Sequence, residues 1–239
     1  MKRAFTIFSL VTAILLVYGL YQALVAAPTE RTMGDVQRIF YYHVPSAWTA
    51  FCLFFTNLIA SIVYLATKKI KADALAVASA EVGVVFCTIV LVTGPIWARP
   101  VWGIWWTWDV RLTTTLVLWL IYVAYLVLRR FSDTAQTPIL AAVLSIFGAL
   151  DVPLVYFSIW FFRTQHPQPV MGKGGSLDPR MLHAFLINLL AFTCFGIMVC
   201  WARYRLEMLH REVEEAHAME SLGTSSSNEA SLPLSRSSR

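Results

Sequence analysis

Charge is what this chain has least of. Only 14% of its residues are Asp, Glu, Lys or Arg, against 58% hydrophobic residues and a mean hydropathy of +0.62. That excludes an ordinary water-soluble globule, which has no other means of clothing its surface. Cysteine is also sparse. Cys52, Cys87, Cys194 and Cys200 form no Cys-x-x-Cys pair and all fall within apolar runs, which argues against a thiol-disulfide enzyme and for small core side chains. The net charge of +5 comes without a basic stripe, because the cations lie in small groups beside apolar runs, so a nucleic-acid role is set aside.

Long apolar runs, by contrast, are abundant. Six can cross ~30 Å of hydrocarbon, each with roughly the 20 residues a helix needs; they are expected at about 4–26, 47–67, 76–97, 112–128, 138–161 and 182–202. The expected fold is therefore all-α, an integral membrane six-helix bundle. Residues 1–206 form the membrane domain, and 207–239 a polar tail, a short helical extension followed by disorder. The first run exceeds the usual ~7–15 residues of a signal-peptide core and reads as a retained helix. Lys2, Arg3, Lys68, Lys69, Lys71, Arg129, Arg130, Arg203, Arg205, Arg211, Arg236 and Arg239 fall on one membrane side. Arg31, Arg38, Arg99, Arg111, Arg163, Lys173 and Arg180 fall on the other. The basic excess predicts that both termini are cytoplasmic.

Between the third and fourth runs lies Trp102-Gly-Ile-Trp105-Trp106-Thr-Trp108-Asp109-Val-Arg111-Leu-Thr113. Coiled as an amphipathic helix, Trp102, Trp105, Trp106 and Asp109 share one face at i, i+3, i+4 and i+7, an external aromatic shelf suited to a large planar ligand. An interfacial tryptophan belt and a helix cap at Asp109 are the plainer uses of the same residues. Pro95 and Pro100 are expected to end helix three before the shelf, Pro45 to open helix two with His43 at its mouth, and Pro153 to kink helix five beside Asp151. Asp178 caps helix six, with Pro179 as its first residue and His183 one turn in. Glu81 in helix three is an interfacial or intramembrane acid.

His43, the tryptophan segment and His183 belong to the first, third and fifth connections, so they share one membrane face. Two imidazoles can saturate haem iron axially, with the indoles packing the porphyrin edge and Arg38, Arg99 or Arg111 pairing with its propionates. Zinc is the competing use of two histidines, but no third ligand stands at a recognisable spacing.

The run Trp-Gly-x-Trp-Trp-x-Trp-Asp-x-Arg-Leu-Thr over 102–113 resembles the signature of the membrane haem-handling proteins of cytochrome c maturation. The stretch Arg38-x-x-Tyr41-x-His43-Val44-Pro45-Ser46-Ala47-Trp48 narrows the resemblance to the six-helix haem exporter protein C (CcmC) family over residues 30–202. The resemblance implies haem b held at the periplasmic face of a bacterial inner membrane. Axial ligands would be His43 and His183, with Trp102, Trp105, Trp106, Trp108, Asp109, Arg38 and Arg111 around the cofactor. Of the two histidines, His183 has the less distinctive neighbourhood, and His166 stands in the same external loop. Implied partners are the haem chaperone CcmE, CcmD and the ABC subunits CcmA and CcmB. The expected role is handling rather than catalysis. The rivals are an ABC permease subunit, for which Glu81 and Asp151 are the only path residues, and a plain membrane anchor.

Overall fold

A computed structural model describes residues 2–132, 134–167 and 177–230, with the side chains of Lys2 and of 222–230 left aside. The elements are α1 (Lys2–Tyr21), continued by a π-turn at Gln22–Ala26; a 3-10 turn, Asp35–Ile39, leading into α2 (Phe40–Thr67); α3 (Ile70–Trp102); α4 (Val110–Phe131); α5 (Thr137–Ala149); α6 (Asp151–Phe161); and α7 (Pro179–Ala230). Six helical stretches have the length and apolarity to span a membrane, α5 and α6 together making one of them.

The proline expectations divide. Pro153 carries no amide hydrogen for the carbonyl of Ala149, and the helix breaks there, so the fifth span is the jointed pair α5 and α6. Pro45, however, sits inside α2 rather than at its opening, because the preceding 3-10 turn has already started the coil. Pro95 and Pro100 do not end α3, which runs on to Trp102. Spanning helices tolerate proline where neighbouring groups re-satisfy the freed backbone. The stop comes from Gly103, whose φ of +79° is the left-handed C-cap that glycine adopts without penalty. At the far end, α7 passes through residue 206 without interruption, so the expected domain boundary there is no structural break. The disorder expected near the C-terminus falls partly on 231–239, outside the described residues.

Helices α2 and α3 form the central pair, α7 lies along both, α1 rests on the outside of α7, and α4 with α5 and α6 closes the opposite side. Close approach depends on small residues. A Cβ at Gly83 would come within 2.6 Å of the Phe54 ring, which lies across α3 to stack on Tyr122 of α4 at 3.9 Å. Helix α1 is held by Asn188 of α7, whose amide donates to the carbonyl of Gly19 at 3.0 Å, and by the Phe5–Trp201 edge contact.

This arrangement gives the bundle two chemically different ends. The connections 27–39 and 103–109 meet at one, with the described residues 162–167 beside them; it is called here the indole end. The turns at 68–69 and 134–136 and the extension of α7 meet at the other, the tail end.

Candidate functional site at the indole end

The site begins with the entry to α2. Arg38 occupies the 3-10 turn, and its guanidinium is fully engaged: it donates to Asp35 at 3.0 Å, to the carbonyls of Ala23 and Ala27 at 2.8 and 3.3 Å, and to Thr29 at 3.3 Å. It fastens the end of α1 to the start of α2. One turn on, His43 turns its ring to α3, where Nδ1 lies 2.9 Å from the hydroxyl of Thr93. That hydroxyl spends its single proton on the carbonyl of Ile89 at 2.7 Å. Nδ1 of His43 must therefore be the donor, which leaves Nε2 with a bare lone pair.

The second imidazole at this place is His166, with its ring centroid 6.5 Å from that of His43. Its Nδ1 stands 3.0 Å from the carbonyl of Pro167, which can only accept, so this ring too presents an unprotonated Nε2. Desolvation first, and the nearby Arg111 guanidinium second, push its pKa down to about 4, keeping it neutral at physiological pH. No polar contact is made by either Nε2 among the described residues. His183 is placed differently. It is exposed on the first turn of α7, its Nε2 is engaged 3.3 Å from the hydroxyl of Tyr18, and its ring meets that of Tyr18 edge-on. The structure joins His43 to His166, and His183 to α1.

Asp109 holds the loop that carries His166. One carboxylate oxygen accepts from the amide of Leu112 at 2.9 Å, making the expected helix cap. The other accepts from the Thr164 hydroxyl at 2.7 Å, and that hydroxyl accepts from the amide of His166 at 3.1 Å. The link from Asp109 to His166 crosses 57 positions of sequence and leaves no periodic signal in it.

The tryptophan segment is not the amphipathic helix its spacing suggests. Gly103 ends α3, Asp109 begins α4, and 104–108 lie between them without helical structure. The indoles form two edge-on pairs instead, Trp97 with Trp102 at 5.2 Å and Trp106 with Trp108 at 5.7 Å. Trp105 and Trp108 are 59% and 76% exposed. Trp106 turns inward, where its Nε1 is buried without a hydrogen-bond partner among the described residues, as are the hydroxyls of Tyr42, Ser46, Thr107 and Thr113.

The three arginines near the motifs thus differ in what holds them. Arg38 is used up as above, and Arg99 donates to the carbonyl of Gly103. Arg111, on the first turn of α4, is half-buried and makes no hydrogen bond or ion pair among the described residues. A partly desolvated guanidinium that has the field of Asp109 but no direct partner can take a further anion from outside.

Two metal–imidazole bonds of about 2 Å each, added to the two ring half-widths, come to roughly the separation of the His43 and His166 rings. Two imidazoles are too few to cage a bare cation, and among the described residues no group of three His, Cys, Asp or Glu side chains converges. What they suit is a metal that brings its other ligands with it, in a planar macrocycle whose carboxylates could meet Arg111. The unpaired buried donors and the exposed indoles fit such a group.

The family model described as CcmC, Heme exporter protein C, matches residues 1–219, and so takes in α1 as well as the two motifs. The Heme exporter protein C of Bradyrhizobium diazoefficiens is 38% identical over 212 residues, covering 87% of this chain and 80% of that protein. That of Escherichia coli K12 is 32% identical, covering 75% and 73%. A putative cytochrome c biosynthesis ccmC-like mitochondrial protein of Marchantia polymorpha is 33% identical over 75% of this chain and 77% of its own length. With its six apolar helices and a match over nearly its whole length, the chain belongs to the Heme exporter protein C family of multi-pass membrane proteins.

Proposed function

We propose that this protein binds haem b at the indole end, with His43 and His166 as the axial ligands, and presents it to the haem chaperone CcmE during cytochrome c maturation. The observation that carries the reading is the pair of neighbouring imidazoles whose Nδ1 atoms are both committed as donors and whose Nε2 atoms are both bare. In this reading His166 takes the place that the resemblance suggests for His183. Arg111 pairs with a propionate, while Arg38 and Asp109 act on the chain itself, the first tying α1 to α2 and the second seating the His166 loop. Trp105 and Trp108, largely exposed, cover the porphyrin edge on the side from which an acceptor approaches.

The indole end is periplasmic in this scheme and both termini are cytoplasmic, in a bacterial inner membrane, which follows from the excess of Lys and Arg beside the termini. CcmD and the ABC subunits CcmA and CcmB are the remaining partners; the names of the relatives, all of the CcmC kind, support membership in that system. The protein handles its cargo rather than transforming it. It fixes the position and ligation of the iron while the groups of haem and chaperone react. The permease alternative loses one of its two path residues, because Glu81 is closed by Arg203.

Purified His43→Ala, His166→Ala and His183→Ala proteins, each offered iron protoporphyrin in detergent, test the reading. The first two are expected to lose most of the bound haem and the third to retain it. A His166→Ala protein with full haem content and an unchanged visible spectrum overturns the assignment of the second ligand.

A further inference from the structure

We propose that Thr93 is a positioning residue for the iron ligand His43: its hydroxyl fixes both the tautomer and the orientation of the ring, and so decides which nitrogen is offered to the metal. This rests on the haem reading above and goes beyond it, since neither the sequence motifs nor the family resemblance gives Thr93 a part.

The geometry is directional. Thr93 lies in α3, and its hydroxyl donates back along the helix to Ile89 at 2.7 Å, an ordinary habit of helical threonine. The proton is thereby fixed, and the oxygen lone pairs are left for the 2.9 Å contact with Nδ1 of His43. Only one hydrogen is available between those two atoms, and it belongs to the imidazole. A ring free to flip would offer iron either nitrogen in turn; this one offers Nε2 alone. The ring also lies over Gly94, its Cε1 within 3.5 Å of where a Cβ would stand, so α3 supplies both the acceptor and a flat seat beside it.

The choice of a hydroxyl carries a consequence. Histidines that ligate metals usually donate their second N–H to a carboxylate, carbonyl or water, and the stronger the acceptor, the more basic and tenacious the ligand. A neutral hydroxyl orients the ring while adding little basicity. That suits a protein whose cargo has to be surrendered: the iron is held at a defined nitrogen but is not gripped.

The test uses the full-length protein in detergent, titrated with iron protoporphyrin. Thr93→Val keeps the shape and removes the acceptor, Thr93→Ala removes it with less bulk, and Thr93→Ser restores it. Elution as a single species and unchanged helix content establish that each variant is folded. We expect Thr93→Val and Thr93→Ala to bind haem roughly 10-fold more weakly or worse, the usual scale for losing such a partner. Their spectra should show a mixture of spin states, and the reduction potential of what remains bound should move upward only slightly, since the hydroxyl had added little basicity to the imidazole. Thr93→Ser should return all three readouts to those of the unaltered protein. Wild-type affinity, spectrum and potential in folded Thr93→Val, alongside haem loss in His43→Ala, overturn the role of Thr93 and leave the ligand reading standing. Retention of haem with an unchanged spectrum in His43→Ala overturns both.

Discussion

The two ends of this bundle treat charge in opposite ways. At the tail end the charged side chains that face the helices are matched to one another. Asp73, only 3% exposed, receives Arg129 through two bonds of 2.8 and 2.5 Å and Arg211 at 2.8 Å; Glu207 receives Arg211 and Arg203; and Glu81 receives Arg203 at 2.9 Å. Three acids and three arginines from α3, α4 and α7 close on themselves. At the indole end Arg111 has no ion-pair partner, two imidazole nitrogens have no proton and no donor, and buried hydroxyls and an indole N–H stand unpaired among the described residues. An unsatisfied buried polar group costs about 1–3 kcal/mol; the hydroxyls of Tyr122 and Tyr125, deeper in the bundle, are unpaired too, and what sets the indole end apart is that its unpaired groups stand with two bare imidazole nitrogens and an unpaired guanidinium. The tail end is built to hold helices together, and the indole end, in the proposed reading, to hold a ligand.

Removing groups at each end should separate these roles. The largest effect is expected from His43→Ala, which should cut haem affinity by more than roughly 100-fold yet leave the unfolding temperature of the haem-free protein almost unmoved, as calorimetry in detergent would read. Asp73→Ala is the mirror case. Stranding the desolvated Arg129 guanidinium, and leaving Arg211 with Glu207 alone, should cost about 3–5 kcal/mol of stability with haem affinity of the folded fraction preserved; a fully stable Asp73→Ala protein would break the comparison from the tail side. Arg111→Gln comes next, since losing a charge-assisted bond to a propionate costs roughly tenfold to a hundredfold in affinity, and a porphyrin ester lacking free carboxylates should be insensitive to the change. Arg38→Ala should show the smallest effect on haem. It should loosen the junction of α1 with α2 and lower stability by about 1–2 kcal/mol, with affinity within about twofold of the original.

The helices were legible because a membrane imposes a length and an apolarity that no other constraint resembles, and all six apolar runs lie where hydropathy puts them. Their ends were less so. Proline is a reliable stop in water, but α3 continues through Pro95 and Pro100 inside the bundle, while the actual stop, Gly103, lies inside the tryptophan motif. The same glycine undoes the helical spacing of the indoles. Period alone could not reveal this, since a left-handed residue interrupts a helix without altering the count. His183 is conspicuous in the sequence because it follows a clear cap, and Asp178 does accept from the amide of Arg180. His166 stands instead in a connection rich in Pro, Gly and Gln, where nothing recurs. What places it beside His43 is the reach of Asp109 to Thr164, a tertiary bond between residues with no sequence relation. Arg38 shows the converse: a motif position expected to serve the ligand turns out to be occupied by its own fold.

The account stands most directly on the identity of the second imidazole. Electron paramagnetic resonance of the ferric haem-loaded protein should show a low-spin, two-imidazole iron in the unaltered chain and in His183→Ala, and a high-spin iron in His166→Ala that returns to low spin when free imidazole is added. A low-spin signal that survives in His166→Ala and is lost in His183→Ala would contradict it.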